Sequence, residues 1–214
     1  MEKIDRIKLW IYLIFRLLLI SAGINAAMHN SWINVFVSLS TLFIISLPSI
    51  IERKFRIDYP SEFEILILFF IYASVYLGDM HDFYLKFWWW DIPLHALSGM
   101  IFGAVGFSLI YILNSSQRTG IKLTPGFMAA FAFCFSLAAG SLWEIYEFLM
   151  DELFGMELQR FGLKDNMWDM IFNTAGAFLV SLLGYRYLRG DRAFLKMIVE
   201  RFKRINPRIF RRRL

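Results

Sequence analysis

Six stretches of this chain are apolar over a length that crosses, or nearly crosses, a bilayer, and that feature limits the fold more than any other. They are Lys8–Met28, Trp32–Ile51, Phe63–Gly78, Ile92–Leu113, Phe127–Leu149 and Met167–Leu188. A spanning helix needs about 20 predominantly apolar residues. The third stretch falls short of that, and Pro93 stands near the start of the fourth. Hydrocarbon offers no partner for backbone amides, so each stretch must pair its own N–H and C=O groups as a helix. None alternates with the period of a barrel strand. A composition 58% hydrophobic and only 19% charged excludes disorder and argues against a soluble domain. The expected fold is all-α: a polytopic membrane helix bundle of about six spans in one membrane domain, 1–188. A basic tail, 189–214, follows it.

The Lys and Arg residues set an expected orientation. Lys3, Arg6 and Lys8 precede the first span, and Arg53, Lys54 and Arg56 separate the second from the third. Arg118 and Lys122 separate the fourth from the fifth, and the tail from Arg186 to Arg213 is dense in Arg. If the spans alternate, all of these share one side, leaving Lys86, Arg160 and Lys164 on the other. The positive-inside rule then places both termini in the cytoplasm, N-in and C-in. Trp32, Trp88, Trp89, Trp90, Trp143 and Trp168 fall near the outer span ends, where indole rings sit comfortably at the interface. Arg16 interrupts the apolar core of the first stretch, which speaks for a retained span over a cleaved signal. Arg16 either snorkels or pairs with a carboxylate such as Glu64.

In the tail, Phe194, Met197, Ile198, Phe202 and Ile205 recur at helical spacing between Asp191 and Ile205. Arg192, Lys196, Lys203 and Arg204 lie largely off that stripe. This pattern predicts a basic amphipathic helix resting on the anionic cytoplasmic leaflet. Membrane anchoring already accounts for the charge of Arg211–Arg213, so no nucleic-acid partner is expected. The lone Cys134 lies mid-span and forms no disulfide within the chain.

Ionisable residues inside spans are costly and point to function. Here they gather at three span ends. Asp91 and His95 are four apart at the start of the fourth span. Glu144, Glu147 and Asp151 close the fifth. Asp165, Asp169 and Asn173 open the sixth. Residues three or four apart share a helix face, so each helix carries one polar stripe. With the orientation above, all three stripes lie in the outer leaflet. Like-charged carboxylates at close range cannot all stay ionised without a proton or a cation. A bound divalent metal is the economical answer, and one imidazole with carboxylates and a carboxamide suits Mg, Mn, Fe or Zn. The expected ligands are His95, Glu144, Asp169, Asp91 and Asn173. Glu147 or Asp165 would be the general base acting on a water at the metal. Asp91 and Asp165 could equally serve as N-caps, and Asp151 and Glu152 as solvated loop acids. Gly99, Gly103, Gly106, Gly140 and Gly176 would let the last three spans approach closely. His81 reads as a loop histidine that lines an entrance or faces water.

The succession Asp91-x3-His95, Glu144-x2-Glu147 and Asp165-x3-Asp169-x3-Asn173-x2-Gly176 resembles the YjdF and VanZ-like families of bacterial and archaeal membrane proteins. The run Trp168-Asp169-Met170 is closer to the YjdF group. The resemblance covers roughly residues 88–180. It implies a multi-pass protein of the prokaryotic plasma membrane, part of the cell envelope, with its site at these positions. VanZ-like proteins are associated with reduced susceptibility to glycopeptide antibiotics. They usually carry Gln where Glu147 stands, and a basic residue before the Asp pair, a place shared here by Arg160 and Lys164.

Three functions fit these residues. The first is metal-assisted hydrolysis or transfer on a lipid or lipid-linked head group. The second is a small cation- or proton-coupled transporter. The third is a non-catalytic structural or stress-related membrane protein that binds a cation for stability. Against transport, Met100–Leu113 and Phe127–Leu142 offer almost no polar path.

Overall fold

A computed structural model describes residues 3–115, 122–159, 162–190 and 196–210. Among them every regular element is helical: α1 (Lys3–Met28), α2 (Trp32–Phe55), α3 (Ser61–Ile71), α4 (Phe83–Lys86), α5 (Asp91–Ser115), α6 (Pro125–Phe154), α7 (Leu163–Leu188), α8 (Lys196–Ile205) and α9 (Pro207–Phe210). Helix α3 runs on as a π-helical segment, Tyr72–Asp79. Six helical stretches are long and apolar enough to cross a membrane, and they coincide with the six apolar stretches of the sequence. The short third stretch reaches spanning length, Ser61–Asp79, because the π-helical turns carry it past Ile71. Arg118, Arg160 and Arg211–Arg213 lie outside the described residues.

The chain divides into two compact units: Met1–Trp88 with Arg204–Asn206, and Trp89–Lys203 with Pro207–Leu214. In the first unit, Leu19 of α1, Ile45 of α2 and Leu68 and Ile71 of α3 form the buried core. The rings of Phe15, Tyr72 and Tyr76 stack in succession, with centroids 4.4 and 4.9 Å apart. Glu64 is buried, and Lys8 and the Tyr12 hydroxyl both donate to its carboxylate. Arg16 is therefore not the partner of Glu64. Its guanidinium lies over the Tyr12 ring and donates to Ser46 Oγ. The Asn206 side chain clasps the backbone N–H and C=O of Asp58.

The second unit is built differently. Helices α5 and α7 touch through backbone. A Cβ on Gly99 would lie 2.1 Å from the Asn173 carbonyl oxygen, and one on Gly176 would lie 2.0 Å from that of Ala96. Only glycine permits such an approach, which is how small residues bring helices together in lipid. Helix α6 starts at Pro125, whose missing N–H costs nothing at a first turn, and Thr124 accepts from Phe127 N–H as the cap. It meets α5 where Ser136 Oγ donates to the Gly99 carbonyl.

In α8, Val199 and Phe202 are buried, Val199 in a cluster with Phe107, Ala132 and Tyr187. Protein thus covers part of the apolar stripe that the sequence assigned to a lipid surface. Phe194 of that stripe lies outside the described residues.

Candidate functional site

Asp91 is the first residue of α5, and its side chain reaches one turn along the same helix. Its Oδ1 lies 3.1 Å from His95 Nε2. Asp169, one turn inside α7, brings its Oδ1 to 3.8 Å from the same nitrogen. One ligand atom from each of Asp91, His95 and Asp169 lies within 4.8 Å of the others, the spacing of groups that share an ion. The Asp169 side chain is 7% exposed and makes no hydrogen bond among the described residues.

Glu144, on α6, approaches from the other side of the imidazole. Its Oε1 is 4.0 Å from His95 Nδ1, while Oε2 is buried with no hydrogen-bond partner among the described residues. Asn173 is brought to the same helices but is engaged elsewhere. Its Nδ2 donates to Ser98 Oγ at 3.0 Å, and Ser98 Oγ donates to the His95 carbonyl. Its carboxamide fills the space that the absent side chain of Gly140 leaves on α6. Ser98 is the partner that sequence reasoning missed, although it stands three residues after His95, on the same helix face.

Glu147 and Asp165 make no hydrogen bond or ion pair among the described residues. Both lie within electrostatic range of Asp91, His95, Glu144 and Asp169. Asp165 is not the cap of α7, since Gly162 holds that position. Asp151 is engaged away from the site. Its two oxygens accept from Leu158 and Gln159 N–H and tie down the turn after α6. His81 belongs to the first unit, with Nδ1 against the Tyr76 carbonyl and its ring on the Tyr76 ring. Among the described residues no Lys or Arg pairs with any of the site's acids, and Lys164, in the first turn of α7 and not in a loop, is exposed.

Six apolar spanning helices, two of them joined by an Asp–His–Asp group, define a multi-pass, all-α membrane protein. The chain belongs to the family described as "Predicted membrane protein (DUF2238)", which matches residues 7–190. It is similar to an uncharacterized protein of Thermotoga maritima, at 26% identity over 143 residues, 67% of this chain and 72% of that one. No solved structure matches the chain.

Proposed function

We propose that this is a divalent-metal-binding membrane protein acting on a lipid or lipid-linked head group by hydrolysis or transfer. Asp91, His95 and Asp169 are the ligands of the ion. The observation that carries the reading is their convergence: ligand atoms from two helices within 4.8 Å, one of them on a buried carboxylate that has no hydrogen bond and no Lys or Arg partner among the described residues. A buried charge of that kind is stable only when neutralised. The donors are nitrogen and carboxylate oxygen without thiolate, which fits Mg, Mn, Fe or Zn. Three protein ligands leave room for substrate, as in catalytic rather than structural sites. A bound ion supplies charge stabilisation at an oxygen that becomes negative. Glu147 and Asp165, the nearby acids without hydrogen-bond partners among the described residues, are the groups to accept a proton.

The surrounding assignments follow from the sequence. The positive-inside pattern supports N-in and C-in termini and hence a site facing outward, in the plasma membrane of a prokaryote. The bacterial relative agrees with that setting. The basic charge of the tail and of α8 supports the anionic inner leaflet as a partner, through Lys and Arg more than through the covered Val199 and Phe202. The order of the Asp, His, Glu and Asn motifs supports kinship with YjdF and VanZ-like proteins.

The test is metal analysis of detergent-purified protein prepared without chelators, beside His95→Ala and Asp169→Asn. The wild type is expected to retain one divalent ion per chain and both variants to lose it while keeping their helical content. A well-folded wild type without stoichiometric metal would remove the basis of the proposal. Cation- or proton-coupled flux in liposomes would replace it with a transporter.

A further inference from the structure

The two nitrogens of the His95 ring face different company. Nε2 looks toward both aspartates, Asp91 on its own helix and Asp169 on α7, at 3.1 and 3.8 Å. Nδ1 looks toward α6, where Glu144 Oε1 stands at 4.0 Å. A neutral imidazole that gives a lone pair from one nitrogen carries its proton on the other, and the acceptor of that proton fixes both the tautomer and the ring plane. Glu144 is the only carboxylate paired with Nδ1 among the described residues. It stands outside the group of three whose ligand atoms converge within 4.8 Å. Its second oxygen is buried and has no hydrogen-bond partner among the described residues, so no hydrogen bond there holds the carboxylate away from the ring.

We infer that Glu144 is a positioning residue and not a ligand: its carboxylate accepts the Nδ1–H of His95 and so turns Nε2 toward the ion that Asp91 and Asp169 hold. This rests on the metal-binding reading above. It gives α6 a defined role at a centre whose ligands come from α5 and α7 alone. It also accounts for a carboxylate placed opposite the two aspartates with the ring between them.

The experiment is calorimetric titration of chelator-stripped, detergent-purified protein with Mn(II) or Zn(II) alone, on the wild type, Glu144→Gln and Asp169→Asn. Glu144→Gln is expected to bind as many ions as the wild type, with Kd raised about 10–100-fold, the usual cost of losing such an outer carboxylate. Asp169→Asn is expected to bind none. Should Glu144→Gln also bind none, Glu144 is itself a ligand and the inference fails while the metal reading stands. An unchanged Kd in Glu144→Gln overturns it as well. A wild type that binds no ion brings down both.

A second measurement needs no change at Glu144 or Asp169. With three His in the chain, 15N-His spectra of the Zn(II)-loaded wild type should show one ring protonated at Nδ1 and metallated at Nε2, the signal absent from His95→Ala. Metallation at Nδ1 would overturn the assignment.

Discussion

Each unit buries a carboxylate, and the two handle it in opposite ways. In the first unit, Glu64 on α3 has its cation built in, with Lys8 and the Tyr12 hydroxyl of α1 closing on it. In the second, Asp169 on α7 is buried to a similar degree and, among the described residues, receives only an imidazole that Asp91 already contacts. The packing differs in the same sense. Stacked rings and large aliphatic side chains fill the first unit. The second brings backbones together through glycine, so that short polar side chains meet across helices. A charge satisfied from within reads as architecture, and a charge left for something outside the chain reads as a site.

That contrast can be broken most decisively at Lys8. Lys8→Met strands a buried carboxylate and should cost about 3–5 kcal/mol. A loss of apparent Tm in detergent that metal does not restore would check it, and the double variant with Glu64→Gln should recover most of the loss. Asp169→Asn should behave in reverse: with metal absent its stability equals or exceeds that of wild type, because an uncompensated charge has been removed. What disappears is the ion-dependent increment, about 2.7 kcal/mol when free metal is 100 times Kd. Thermal melts with and without Mn(II) separate the two contributions. If metal stabilises Asp169→Asn as much as wild type, the distinction between the units falls.

Gly176→Ala comes next. Its Cβ would meet the backbone of Ala96, so α5 and α7 must part, at about 1–3 kcal/mol by analogy with overpacked cores. Metal affinity should fall with stability, since Asp91 and His95 sit on one helix and Asp169 on the other. Asn173→Ala should cost about 1 kcal/mol, the worth of one hydrogen bond, and leave the ion count unchanged. Smallest is Gly126→Ala, where nothing lies within 4 Å of the new Cβ. There a gain of at most about 1 kcal/mol in helix propensity is expected.

The sequence revealed the six spans because hydropathy is a local property, and the backbone in hydrocarbon has few alternatives to a helix. The polar stripes were legible for a related reason: Asp91 and His95 share a face by spacing alone. Contacts between helices were not. Spacing could not say that Lys8, rather than Arg16, answers Glu64, nor that Asn173 would be held by Ser98. It also could not say on which side of the His95 ring Glu144 would stand. Each depends on how one helix is rotated about its axis against another, and no single-helix periodicity contains that angle. The apolar stripe of α8 shows the same limit, because amphipathicity does not distinguish a lipid surface from a protein one.

The π-helical end of α3 bears on the membrane itself. The stretch Ser61–Asp79 has 19 residues, against 30 in α6. Wound throughout as α-helix it would extend about 28 Å, and wider π turns shorten it further. A hydrocarbon core is about 30 Å thick, so this span has no length to spare for tilt. It must stand nearly upright or draw the two leaflets together around it. The shortest spanning stretch thus acts as the protein's gauge of bilayer thickness, and thin membranes suit it best.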